Sequence, residues 1–473
     1  MKKFGVLLVF ALVLGLAMPA VGAEFSFHGD FNNRFTTYTN QSGLVAGAGE
    51  QSTADNRRIK DDGVSDQWAS FKYRLWTEAA TNDGAVKGVY AIELGAIHYG
   101  NAGRGGGFSG DGTNIETRWA YTDLQLPFIE RKSRVRLGLQ NVDMVNYYLW
   151  KETAAGVKWY GDTDIFDYTL AWFRGFERLR DATTGGNSVD SFVGRTDFKQ
   201  IEGLKLGVFA LYTNSRGATS GPGAITDSNY EKKRFASADL DLKLIEFGVD
   251  GSFKTDAGDG NLFFNWDLIY QGGKIDDATF TATNLGTSAE QNYDVKAYFL
   301  HGDAGFAWDD FKVTGTFWIA SGDDDPKDDD LEGFFATDVD TFTGSTVLME
   351  SIDDDNYFTE RSYLLDKGMI LSKVAFDWQA TDKLKVGAAG LYMMTAEDIE
   401  YTDKNGKMQK NDDVGVELVG HMSYKLYQNV EFAINAGYLF AGDAMDYWEE
   451  DSIRDGSSDE DIFRSMARVR YKF

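Results

Sequence analysis

The 473-residue chain has no cysteine, only four prolines and only four histidines. Without cysteine there is no disulfide framework, no thiolate metal site and no covalent haem attachment through Cys-x-x-Cys-His. So few prolines leave no Pro-rich linker to divide a chain of this length into domains. His28, His98, His301 and His421 lack the paired spacing of a metal site, so no metal or catalytic role is assigned to them. Positive charge is scarce too: 47 Lys and Arg stand against 74 Asp and Glu, a net of −27, which argues against a nucleic-acid partner. Beyond residue 23, no apolar run approaches the roughly 18 residues that a membrane helix needs. A membrane protein with this sequence must therefore cross as a barrel.

The first 23 residues read as a secretory leader. Lys2 and Lys3 give a basic start, Phe4 to Ala17 an apolar centre, and Val21-Gly22-Ala23 a small-residue cleavage site. The mature chain is expected to begin at Glu24, exported from the cytoplasm and without a lipid anchor. Glycine (52 residues) and aromatics (14%) are abundant, which suits frequent turns and the aromatic girdles of a lipid-embedded barrel.

The last eleven residues alternate strictly. Phe463, Ser465, Ala467, Val469, Tyr471 and Phe473 fall on one face, and Arg464, Met466, Arg468, Arg470 and Lys472 on the other. A row of cations opposite a row ending in aromatics fits a closing strand with lipid outside and water inside. The same alternation opens the chain: Phe25, Phe27, Phe31 and Phe35 oppose His28, Asp30, Asn32 and Arg34. Next, Ala69, Phe71, Tyr73 and Leu75 oppose Ser70, Lys72 and Arg74, before a tight Thr81-Asn82-Asp83-Gly84 turn. Similar segments recur to the end, with short turns and long loops in alternation. The long loops are expected near 40–66, 100–113, 142–153, 176–190, 214–231, 272–290, 321–366, 397–412 and 442–460. The fold expected is all-β, a single transmembrane antiparallel barrel over 24–473. The best count is 18 strands, with 16 or 20 as neighbours because 231–272 admits two strands or four. Short turns face the periplasm and long loops the exterior.

Several stretches carry a family resemblance. These are Tyr90-Ala91-Ile92-Glu93-Leu94-Gly95, the glycine-rich loop to Gly112, Ala120-Tyr121-Thr122-Asp123-Leu124, Arg136-Leu137-Gly138-Leu139-Gln140 and Ala155-Gly156-Val157. The chain resembles the outer membrane homotrimeric porins of sulfate-reducing and related Gram-negative bacteria. That resemblance implies a homotrimer, and a loop after the fifth strand that folds into the lumen at about 141–152, with Asp143 and Glu152 as its charged members. It also implies that the barrel assembly machinery reads the terminal Tyr471 and Phe473. The family's usual glycine ahead of the final aromatics is absent at Ser465-Met466-Ala467.

Barrel closure sets the last strand beside the first, and the first beside the second. Arg464, Arg468, Arg470, Arg34, Lys72 and Arg74 then form one basic wall, which Arg134 and Arg136 extend. Opposite an acidic inward loop, this wall would impose a transverse field on the pore; alternatively, its cations pair with inward carboxylates such as Asp30, Glu78 and Glu93. The acidic runs at 323–330, 353–355 and 449–451 read as solvated loops, with calcium or lipopolysaccharide phosphates as possible company. Gly103-Arg104-Gly105-Gly106-Gly107 lacks the Lys-Ser/Thr ending of a phosphate loop. No enzyme and no cofactor are expected. The expected function is passive diffusion of small hydrophilic solutes and ions through an outer membrane porin. The alternative is a channel selective for sugars, organic acids or an anionic polymer.

Overall fold

The computed structural model describes residues 23–473 apart from 41–64, 102–105, 108–111, 113–114, 128–132, 146–148, 178–187, 200–201, 218–239, 279–280, 283–285, 288–290, 326–327, 335, 338–344 and 349–366. Eighteen strands form the barrel wall. In the first half they are β1 Ala23–Tyr38, β2 Asp66–Thr81, β3 Val86–His98, β4 Ile115–Gln125, β5 Ser133–Met144, β6 Trp150–Asp162, β7 Phe166–Glu177, β8 Ser188–Phe198 and β9 Leu204–Gly217. The second half comprises β10 Leu240–Ala257, β11 Gly260–Ala278, β12 Gln291–Trp308, β13 Phe311–Ala320, β14 Met369–Gln379, β15 Leu384–Thr402, β16 Met408–Tyr427, β17 Val430–Ala441 and β18 Ile462–Lys472. Each pairs antiparallel with the next, and β18 returns to β1 with Tyr38 opposite Arg464 and Asp30 opposite Lys472. The sheet therefore closes and leaves no free edge. The region that admitted two strands or four contains β10 and β11, joined at 258–259. Two smaller pieces stand apart from the wall: Asp330–Leu331 pairs in parallel with β12, and Thr281–Ala282 pairs with Gly286–Thr287.

Connections at one end, the turn end, are short, as at 82–85, 163–165, 258–259, 309–310, 380–383 and 428–429. Their chemistry is local. Asp83 accepts from the Thr81 hydroxyl at 2.6 Å and from the Ala85 amide at 3.0 Å, and these hydrogen bonds hold its carboxyl below the usual range. Gly84 takes the positive φ of 68° that the turn requires. At the opposite, loop end, 39–65, 99–114, 218–239, 321–368 and 442–461 are long. Two connections expected to be long are short, at 145–149 and 403–407. At the second, β15 and β16 keep pairing to Thr402 opposite Met408, because Lys410 bridges Asp398 at 3.2 Å and Glu400 at 3.3 Å. Cross-strand charge pairs of this kind let a polar stretch remain strand.

Because residues directly opposed in a ladder share a face, the register sorts the side chains. Phe25, Phe27 and Phe35 lie outside, and their partners Ala79, Thr77 and Ala69 lie beside them. Around the barrel, large apolar residues stand exposed on this outer face: Phe27 is 61% exposed and Val374 66%, with Leu170, Phe192, Phe247, Phe317, Leu418 and Phe440 among the others. An apolar surface this extensive is at rest only in lipid. Among the described residues, no helix is long and apolar enough to cross a membrane.

The buried apolar core lies inside the barrel. It gathers Tyr38 of β1, Phe173 of β7, Leu211 of β9, Phe299 of β12, Trp318 of β13, Leu391 of β15 and Ile462 of β18, together with residues from the connections at the loop end. The closing seam is sealed at the turn end. Phe473 and Gly29 exchange backbone hydrogen bonds of 2.9 and 3.1 Å, and the Phe473 ring meets Phe31 edge-on at 5.7 Å. That ring occupies the space where any side chain at position 29 would go.

Candidate pore and constriction

All eight residues of the expected basic wall have inward register. Arg34 lies opposite Ser70 and Arg468, Asn32 opposite Lys72 and Arg470, and Asp30 opposite Arg74. Arg134 and Arg136 share the inward face of β5 with Asp123 across on β4. The wall is heavily paired. Arg470 Nε donates to Asp30 at 2.7 Å, Arg468 to Glu431 at 2.7 Å, Arg134 to Asp123 at 2.5 Å and Arg136 to Asp123 at 2.9 Å. Tyr160 adds a third donor to Asp123 at 2.6 Å. Glu93 serves Arg74 by a short contact, Lys72 at 3.6 Å and Arg118 at 3.8 Å. Glu93 thus gathers three cations, of which Arg118 lies closer to Glu152, at 2.7 Å.

Two of these arginines do not border open lumen. Arg464 is 0% exposed and Arg34 2%. Arg464 lies 4.5 Å from the centroid of the Tyr38 ring and donates through Nη1 to the Thr346 carbonyl at 3.1 Å. Thr346 belongs to the long β13–β14 connection, which the sequence reading placed outside as a solvated acidic loop. Its described residues instead run through the barrel. Asp330–Leu331 lies along β12, and the Phe334 amide bonds to Ser321 O at 2.9 Å. The Thr337 amide then reaches Leu149 O at 2.9 Å, between β5 and β6. Glu417 of β16 fastens the far end, accepting from the Ser345 hydroxyl at 2.5 Å and from the Thr346 and Val347 amides at 2.8 and 2.9 Å. Phe334, Val347 and Leu348 join the apolar core. Apolar residues inside an otherwise acidic loop were the available signal: a solvated loop has no use for Leu331, Phe334, Val347 and Leu348.

Much of 141–152 is strand. Asn141 to Met144 pair in register with Trp150 to Thr153, leaving 145–149 as the connection. Pairing of β5 with β4 ends at Leu139, and that of β6 with β7 at Ala155. Beyond those points the hairpin has no sheet neighbours. Its Val142, Met144, Val145, Leu149 and Trp150 pack into the core inside the barrel, so the tip lies within the lumen. The other face of β5 there carries Asn141 and an exposed Asp143, which accepts from Asn141 at 2.6 Å. Glu152 pairs with Arg118 at 2.7 Å.

The lumen wall opposite carries further inward acids, each held by nearby basic side chains. Arg195 bridges Asp197 at 3.0 Å and Asp250 at 2.5 Å. His301 lies 2.6 Å from Asp267 and 3.4 Å from Asp303, and Asp377 contacts His421 at 2.9 Å and Lys385 at 3.0 Å. A cavity of about 930 Å³, lined by Arg195, Asp250, His301 and Asp303 among others, opens here. Inward carboxylates thus concentrate on β8 to β14, rather than on an acidic loop at 141–152.

Beyond β17, the 3₁₀ turn Asp443–Trp448 buries Met445, Tyr447 and Trp448. The acidic run that follows is only partly solvated. Asp451 is 86% exposed at its side chain, but Glu449 is 3% exposed and accepts from Ser458 at 2.6 Å. Burial pushes the Glu449 carboxyl up to about 8, against the pull of the Ser458 hydrogen bond, and the nearby Asp446 adds to the rise. Among the described residues, no three acidic or histidine side chains converge to hold a metal ion.

No family model matches the chain, and no curated protein sequence matches it. Solved structures do. The chain is similar to OccK8 (OprE) of Pseudomonas aeruginosa, with a TM-score of 0.54 and 10% identity over 95% of this chain and 98% of that one. OpdQ of the same organism gives 0.53 and 8%, and its outer membrane protein OpdK 0.51 and 9%, both over 95% and 98% of the two chains. The shared property is the fold. It is a closed eighteen-strand antiparallel barrel of outer-membrane type, and the core and constriction described above lie inside that frame.

Proposed function

We propose that this chain is an outer-membrane channel through which small hydrophilic solutes and ions diffuse passively. One observation carries the reading: the barrel is closed, apolar outside and charged inside, with the described residues of two chain segments, the β5–β6 tip and the β13–β14 connection, narrowing the lumen near its loop end. Such a channel needs a water column, a constriction and a charge pattern, and no reacting group. The leader at 1–23 would deliver the chain across the inner membrane, Tyr471 and Phe473 would serve as the assembly signal, and lipopolysaccharide would surround the loop end. A homotrimer completes the proposal.

Within it, Asp143 and Glu152 face the narrowed lumen from the hairpin. The basic wall of β18, β1, β2 and β5 stands across from the carboxylates of β8 to β14, giving a transverse field along the turn-end half of the lumen. A selective channel is the second reading, favoured by a constriction hydrogen-bonded at both ends rather than loosely hung. Refolded, heat-modifiable protein in a planar bilayer tests the proposal. Stepwise ion conductance is expected, and folded protein that never conducts overturns it.

A further inference from the structure

The turn-end half of the lumen carries a cluster of inward aromatic residues. In one inward row across β1 to β4, His28 lies opposite Trp76, Trp76 opposite Ala91, and Ala91 opposite Trp119. His28 stacks on Trp76 with centroids 5.1 Å apart and planes 19° apart. Trp119 meets Trp76 at 5.7 Å and 73°. Ala91 is small enough for both indoles to lie over it, and it is buried beneath them, whereas the indoles themselves are half-exposed on the inward face. Large aromatic faces turned toward a water-filled lumen are costly unless something stacks there.

The rows on either side are charged, and their cations already hold carboxylates. Toward the loop end lie the pairs Arg470 with Asp30 and Arg74 with Glu93. Toward the turn end lie Lys87 with Glu78, and Asp123 with Arg134 and Arg136. An arriving anion would have to compete with carboxylates already bonded to these arginines. A hydroxyl uses the spare donors of a guanidinium and the spare lone pairs of a carboxylate without breaking the pair. We propose that Trp76 and Trp119 form a stacking subsite for a neutral pyranose ring, whose hydroxyls bridge to Arg74, Glu78 and Glu93. The subsite deepens the channel reading and rests on it.

Maltotriose, mannitol and benzoate, each titrated against single channels of the full-length protein, provide the test. Maltotriose should block the current saturably, and mannitol, an open-chain polyol, should not. Trp76→Ala and Trp119→Ala should each raise the half-blocking maltotriose concentration about fivefold, the scale of one lost aromatic contact, and Trp76→Phe should recover part of the loss. Maltotriose should also change tryptophan fluorescence in the wild type and change it less in Trp76→Phe, a readout that survives if the alanine variants do not fold. Equal block by mannitol, tryptophan-dependent block by benzoate in place of maltotriose, or maltotriose block unaltered in conducting variants would each overturn the subsite. These outcomes leave the channel standing, whereas absence of any conductance removes the channel itself.

Discussion

Glu417 is the residue on which the crossing segment turns. It is fully buried and accepts from one hydroxyl and two amides of that segment, while Arg464 holds the adjoining carbonyl. Replacing it with alanine leaves those donors buried without an acceptor, a loss of order 3 kcal/mol. Glu417→Ala should therefore release the segment and raise single-channel conductance; Glu417→Gln, which keeps one carbonyl acceptor, should do so less. Charge in the turn-end half of the lumen is tested at other positions. Arg468 shares Glu431 and Arg74 shares Glu93, so Arg468→Gln and Arg74→Gln should each shift the reversal potential in a salt gradient toward cations. Arg74→Gln should have the weaker effect, because Lys72 and Arg118 remain on the same carboxylate. At Gly29 the constraint is spatial. Gly29→Leu must displace the Phe473 ring from the seam, and the fraction of protein showing the heat-modifiable gel shift should fall.

Among the elements, the segment 442–461 responds to pH. The Glu449 carboxyl is raised from an ordinary 4.5 to about 8, so the folded segment favours its protonated form. That contribution to stability is fully present below about 4.5 and is lost as pH rises through about 8. Protection factors for amide exchange at Met445 to Trp448, which divide out the intrinsic rise of exchange with pH, should be higher at pH 5 than at pH 8.5, and Glu449→Gln should flatten the difference. The sequence showed the strands plainly, because a two-residue period with aromatics outside and charges inside is written into each one, as in Phe25 to Arg34. What it did not show is where the chain leaves the sheet. The alternation of Asn141 to Met144 persists after β5 has lost β4, and nothing local marks that departure. The crossing segment was masked by composition: the run at 323–330 reads as solvated, and its apolar anchors, though out of place in a solvated loop, follow no strand or helix period. A face assignment for Arg34 and Arg464 does not reveal what lies against them.

The whole molecule inverts the soluble plan, with its core in the lumen and its apolar exterior in lipid. Its folding therefore depends on closure. Until β18 meets β1, Arg464 has no Tyr38 ring opposite it. Truncation of Tyr471 to Phe473 should slow closure in refolding assays while leaving strand content by circular dichroism nearly unchanged. The crossing segment has a further, mechanical consequence. A thin hoop under side load flattens to an oval, and an empty barrel in a bilayer under lateral tension is such a hoop. Here a spoke runs from β12, by way of the β5–β6 tip, to β16 and β18, and it is fastened at each station. The cross-section is thereby braced against flattening, and conductance should hold constant as membrane tension is varied until the Glu417 fastening is cut.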